Sequence, residues 1–295
     1  MINYSIIIPH KNCLDLLSRC ILSIPVRDDI EVIVVDDGSD IYYDLEEKIK
    51  KISPLLNIIV SCQASSRGAG AARNIGLNKA NGRWLLFADS DDFFSNEAFD
   101  ILDDYVASNY DIIYFGHRAV YSDSLMPAER LGHRMKYINE YIEVKTKKSE
   151  DFLRYLNHSP TSKLIKKELI SLNNIMFDEV PASNDAMFSV ISAYNAKEIF
   201  ADNRVIYVTT LRTGSITQTR SKENAFSRYC VELRLYDFYR QHDLDRMLPF
   251  LTMRIIRAFC LYGFNEGAKY LNLAKQYKVN IFLGISRRFN RKYRY

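Results

Sequence analysis

The sequence predicts an α/β protein: a Rossmann-like, mostly parallel sheet flanked by helices, with a helical C-terminal extension. Three observations predict it. Short apolar runs alternate with helical patterns up to about residue 116, the signature of parallel βαβ units. Four successive runs end in polar groups, as strands do when their carboxyl ends form one ligand-binding edge. From Lys222 onward, Tyr229, Leu233, Tyr236 and Tyr239 fall at helical spacing.

Strands are expected at Tyr4–Pro9, Glu31–Asp36, Asn57–Cys62, Arg83–Ala88 and Asp111–Phe115. Runs this short and apolar suit strands buried on both faces. Helices are expected between them, at Leu14–Ser23, Asp44–Lys51, Ala69–Lys79 and Glu97–Ala107, and Gly82 after Asn81 reads as a helix stop. From His117 to Lys148 the pattern is irregular and reads as a loop-bearing insertion. Ser149 to Leu172 reads as helical, broken at Pro160, and Glu198 to Thr210 as one or two strands. The division expected is residues 1–116, 117–220 and 221–295.

The chain has 295 residues, 47% hydrophobic, enough for a large core. Five scattered cysteines without a CxxC pair fit a reduced, cytoplasmic protein. Met1 runs almost directly into a strand pattern, so no signal peptide is read, and no apolar run reaches the ~18 residues of a membrane span. The formal charge is +4, yet five Arg and Lys lie in the last nine residues; without them 35 basic face 36 acidic residues. A near-neutral body argues against a nucleic-acid binder.

The polar ends carry the chemistry. The first strand ends Pro9-His10-Lys11-Asn12, and the second Asp36-Asp37-Gly38-Ser39. After the third come Gly68 and Gly70, which permit a tight backbone at a helix start, and then Arg73. The fourth ends Asp89-Ser90-Asp91-Asp92. Carboxylates this close repel unless something positive lies between them, and a divalent cation carrying a phosphorylated ligand fits. The competing reading is a polar turn that caps the next helix.

In combination, the second, third and fourth motifs resemble those of inverting family 2 glycosyltransferases of the GT-A fold, over roughly residues 3 to 218. The resemblance implies a UDP-sugar donor, with Pro9 and Asp37, or Asp36, at the uracil and Arg73 reaching the nucleotide. The plain alternatives are a turn cap at Asp36 and Asp37, and a structural ion pair of Arg73 with the acidic cluster, compatible with its nucleotide role if it bridges to Asp89. It implies Asp89 at the ribose or metal and Asp91 as ligand of Mn²⁺ or Mg²⁺. Arg212 would touch the diphosphate. Asp185 would be the general base, with Asn184 where relatives usually carry Glu; the plain alternative is a helix start, with Ser183 or Asn184 as cap. Pro9 is expected to bend the chain over the base. Lys163 is expected to pack near the acceptor or pair with a carboxylate there, or to be an ordinary surface lysine. Gln218 replaces a His that binds metal in some relatives, and Lys11 replaces an aromatic.

Those residues imply sugar transfer to a hydroxyl of a glycan or lipid-linked glycan, as in bacterial surface polysaccharide synthesis. Two alternatives stand: a sugar nucleotidyltransferase, which would need a Gly-rich loop after the first strand, and a non-catalytic nucleotide-sugar-binding relative. The basic, aromatic tail Phe282–Tyr295 suits either an anionic membrane surface, on the inner face of the cytoplasmic membrane, or plain solvent.

Overall fold

Ile6, Ile7 and Ile8 in succession leave a strand no polar face, so it must be covered on both sides. In the computed structural model, which describes residues 1–40, 44–129, 132–212 and 221–282, β1 (Tyr4–His10) is buried along its whole length. Beyond it run α1 (Leu14–Leu22), β2 (Ile30–Asp36), α2 (Leu45–Ile52), β3 (Ile58–Cys62), α3 (Ala69–Lys79) and β4 (Trp84–Phe87). β5 (Phe93–Phe94), α4 (Ala98–Asp103), β6 (Ile112–Tyr121), α5 (Gly132–Val144), α6 (Lys147–Leu156), β7 (Lys163–Lys166), α7 (Lys167–Leu172), α8 (Ala186–Asn195) and β8 (Ile199–Leu211) follow.

These strands form one eight-stranded sheet in the order β3-β2-β1-β4-β7-β6-β8-β5. β1 pairs in parallel with β2 and β4, and β2 with β3, so the polar ends of these strands meet at one edge. The period-2 alternation of strands sorts their side chains into two cores. Ile6, Ile8, Val32 and Val34 pack with Leu17 and Cys20 on one face. Ile7, Ile33 and Val35 pack with Ala72, Leu153 and Phe188 on the other. Gly76 brings α3 onto β1: a Cβ there would lie 2.4 Å from a methyl of Ile7.

Three expectations need correction. Residues 117–148 are not mainly loop, because β6 continues to Tyr121 and α5 occupies Gly132–Val144. The irregular stretch becomes strand because β8 offers it a parallel partner as far as Leu211. Residues 163–166 are strand rather than helix, since β7 wedges antiparallel between β4 and β6. Its Leu164 and Ile165 then point into opposite cores, which a helix could not achieve. Nor does Pro9 bend the chain: β1 stays in register with β2 through His10, and the backbone reaches positive φ only at Asn12 (φ 52°).

Met1–Val180 with Asn184–Gln218 forms one compact unit, so the first two expected divisions share one sheet. Pro181–Ser183 with Thr219–Tyr295 forms the other. There α9 (Lys222–Gln241) starts at Ser221, whose hydroxyl accepts the Asn224 N–H, and it buries Tyr229, Leu233, Tyr236 and Tyr239. α10 (Thr252–Tyr262) and α11 (Phe264–Gln276) complete this unit, with Tyr270 of α11 stacked on Tyr229 at 4.4 Å. Among the described residues no helix is long and apolar enough to cross a membrane.

Candidate active site

The acidic turn is held by its backbone. Asp89 N–H donates to the Tyr207 hydroxyl at 2.8 Å. The Asp91 carbonyl accepts from Thr210 Oγ1 (2.8 Å) and from Arg19 (2.7 Å). Asp92 turns inward, 4% exposed, and its Oδ1 accepts the Thr210 N–H at 2.6 Å. Burial, then the charges of Asp89 and Asp91, push its carboxyl well above the usual carboxylate range. The third carboxylate therefore anchors the turn, and two remain at the surface. Arg19, Tyr207 and Thr210 carry no sequence signal of this role; they lie far from the turn in the chain.

Asp89 and Asp91 face arginines. Asp89 Oδ1 lies 2.6 Å from Arg73 Nη2, and Asp91 Oδ2 lies 3.4 Å from Arg212 Nε. Their side chains are 43% and 25% exposed, so the flanking charge is lent rather than sealed in. Two half-exposed carboxylates suit a hard cation whose remaining ligands come from phosphate and water. Among the described residues no group of three or more His, Cys, Asp or Glu could hold a metal ion. Gln218 and the segment Thr213–Thr217 lie outside the described residues.

Asp36 and Asp37 are placed differently. Asp36 is fully buried and accepts from the Ser39 N–H at 2.9 Å and from the Ser39 hydroxyl. Asp37 accepts from Gln63 Nε2, Ser66 Oγ and the N–H groups of Arg67 and Gly68, all within 3.0 Å. It thus pins the loop that leads into α3, where Gly68 takes φ 91°. His10 lies next to Asp36, 3.9 Å apart, and burial holds its pKa below the ordinary value against the pull of that carboxylate. Lys11 is exposed.

Arg73 does more than meet Asp89. Its Nη1 donates to Asn184 Oδ1 at 2.9 Å, and its guanidinium lies over the Phe177 ring at 5.4 Å. Asn184 is therefore not a helix cap. Its carbonyl accepts the Asp178 N–H, while Gly70 keeps room for this crossing: a Cβ there would sit 2.0 Å from the Asp178 carbonyl oxygen. Asp185 is the N-cap residue of α8, yet its side chain makes no capping hydrogen bond. Behind it, Lys163 is 1% exposed, donates to the Asn157 carbonyl at 2.7 Å and lies over the Tyr114 ring at 4.9 Å. Burial drives its ammonium down to about 7; Arg134 adds to this and Asp185 opposes it. Lys163 is not a surface lysine.

A sheet edge that presents two leaning carboxylates, two arginines and an uncapped aspartate agrees with the comparisons. The model of glycosyl transferase family 2 matches residues 5–171. The chain belongs to glycosyl transferase family 2. This glycosyltransferase is 26% identical over 247 residues to the glycosyltransferase EpsJ of Bacillus subtilis, covering 80% of this chain and 70% of that protein. It is 27% identical over 282 residues to the GalNAc(5)-diNAcBac-PP-undecaprenol beta-1,3-glucosyltransferase of Campylobacter jejuni, covering 93% and 84%. The fold matches that of S. aureus TarS 1-349, solved in complex with UDP-GlcNAc, with TM-score 0.71 at 20% identity, over 94% of this chain and 80% of that one. The GT-A architecture is thereby established for this enzyme.

Proposed function

We propose that this glycosyltransferase moves a sugar from a UDP-sugar to a hydroxyl of a bacterial surface glycan or lipid-linked glycan, inverting the anomeric centre. The observation that carries the reading is Arg73, which holds Asp89 with one nitrogen and the residue before Asp185 with another. One guanidinium then fixes a donor-side carboxylate and the catalytic segment together. The donor class is supported by TarS, which holds UDP-GlcNAc, and the acceptor class by the glucosyltransferase named for its undecaprenol-linked glycan.

In this reading the nucleotide lies along the ends of β1 and β2, at Pro9, Asp36 and Asp37. A uracil contact at Asp37 requires exchange of the Gln63 or Ser66 side-chain donor, because the backbone donors stay. Arg73 and Arg212 turn toward the nucleotide and its diphosphate, where a guanidinium binds paired oxygens well. Asp89 and Asp91 would hold Mn²⁺ or Mg²⁺, which neutralises charge on the departing diphosphate. Asp185 accepts the proton of the attacking hydroxyl as that oxygen bonds to the anomeric carbon and UDP leaves with the electron pair of the broken C–O bond. Asn184 positions Asp185 through Arg73.

The test is turnover of a panel of UDP-sugars by the purified chain with and without Mn²⁺ or Mg²⁺, alongside Asp185→Asn. Turnover should fall by about 10²–10⁴-fold in that variant, the usual contribution of general base catalysis, while UDP binding stays near normal. Full activity in Asp185→Asn removes the base assignment, and turnover undiminished by chelation removes the metal.

A further inference from the structure

Among the described residues, α10 is apolar on two sides, one buried and one exposed. Ile255 and Ala258 are buried. Met253, Ile256 and Leu261 are 55%, 47% and 69% exposed, with Arg257 and Cys260 exposed among them. Spacings of three, one, three and one residues place all five on a single helix face. Phe264, the first residue of α11, adds a ring that is 78% exposed. Scattered apolar side chains need no explanation, but a continuous stripe marks a surface that meets something.

The charge of the sequence that carries the stripe says what it meets. Residues 246–295 hold 11 of the 40 Lys and Arg but one of the 36 Asp and Glu, a net +10. The remaining 245 residues hold 29 basic and 35 acidic residues, a net −6. The single acid of this segment, Glu266, is already paired with Lys222 at 3.0 Å. No acidic residue lies between Asp245 and Glu266, the span that contains α10. An apolar stripe carrying a basic residue and free of acids is the composition of a helix that lies in the plane of anionic headgroups. A second copy fits it less well: a two-fold contact through this stripe would gather the Arg257 side chains and their net positive surroundings.

We propose that the exposed face of α10 docks on an anionic bilayer surface. Met253, Ile256 and Leu261 enter the headgroup boundary, while Arg257 meets lipid phosphate and carboxylate. The face lies outside the residues assigned to sugar transfer, so docking and catalysis separate experimentally.

The experiment is co-sedimentation of the full chain with vesicles of phosphatidylcholine alone or mixed with phosphatidylglycerol. The wild type should bind the anionic vesicles, and weaken steeply with salt. A triple variant Met253→Ser, Ile256→Ser, Leu261→Ser should lose about tenfold or more of its partitioning. Arg257→Glu should lose roughly fivefold per unit of charge changed, and it supplies the answer if the triple variant fails to fold. UDP-sugar turnover with a soluble acceptor should be the same in both variants, so loss of turnover in every form, with binding intact, overturns the catalytic reading and leaves this one standing. Equal vesicle binding by the wild type and the triple variant overturns the proposal. So does complete loss of binding on truncation after Ser286 with full retention in the triple variant, because the tail alone would then be the anchor. A concentration-dependent dimer that the triple variant abolishes, without vesicle binding by the wild type, also overturns it in favour of a second copy.

Discussion

The ends of β2 and β4 look alike in sequence and behave oppositely in the fold. Both place carboxylates immediately after a buried parallel strand, and both add a serine within the next few residues. At β2, Asp36 and Asp37 turn back into the protein and spend their oxygens on Ser39 and on the loop 63–68. At β4, only Asp92 turns inward, and Asp89 and Asp91 stay half exposed against arginines. What separates them is the supply of donors. A loop rich in N–H groups crosses the end of β2 and absorbs its carboxylates. The end of β4 meets β8, which offers the Thr210 N–H to one carboxylate only. A carboxylate that backbone donors hold fixes a loop, and one that leans on a guanidinium keeps part of its surface exposed.

The sharpest way to break this contrast is Asp91→Ala. Transfer should fall by roughly 10³-fold, from several kcal/mol of lost charge stabilisation. The melting temperature should hardly move, because a half-exposed carboxylate carries within about 0.5 kcal/mol of stability. Activity near wild type would show that the β4 end is scaffold after all. Asp37→Ala should cost stability as well as donor binding. It strands two backbone N–H groups and two side-chain donors, so urea titration should find the chain less stable by about 3 kcal/mol. An unchanged midpoint would mean that the loop holds without its anchor. Asn184→Ala should lower kcat by about fivefold with KM for the donor little changed, because one hydrogen bond that orients Asp185 is worth about 1 kcal/mol. A rise in KM alone would place Asn184 in donor binding instead.

The smallest effect is the pH dependence of stability at Lys163. Its folded pKa lies near 7, below its ordinary value of 10.5. Between these the unfolded chain holds the extra proton, so this residue adds stability as pH rises from 7 to 10 and takes it away as pH falls through 7. Replacing it with Met should flatten that slope in denaturation experiments at pH 7, 8.5 and 10. A slope that survives in Lys163→Met would assign the titration to another group.

Much of the first 116 residues was legible. β1, β2, β3 and β4 appear within one residue of their expected starts and ends, because three or four consecutive apolar residues in a short run admit few alternatives to a strand buried on both faces. α3 matches its expected bounds at both ends, Ala69 and Lys79, where Gly68 opens it. Past residue 116 the reading failed at β7 and at the far half of β6. Lys-Leu-Ile-Lys contains too few residues to declare a period, and Gly116 to Tyr121 is strand only because β8 lies alongside. Asp185 was legible as a candidate, but the partner of Asn184 was not: Arg73 lies 111 residues away in the chain.

By itself, the sequence determined the parallel sheet, the edge at which its polar ends gather and the carboxylates and arginines delivered there. Those depend on apolar period and on turn residues, which act over a few neighbours. Tertiary structure alone decided which of the five carboxylates at that edge are buried and which stay partly exposed, that Lys163 is buried behind Asp185, and that Met253, Ile256 and Leu261 of α10 stay exposed. Each of these depends on which distant donor, ring or helix arrives next to the group. Satisfaction and burial are set by that arrival rather than by the residue's own neighbours in the chain.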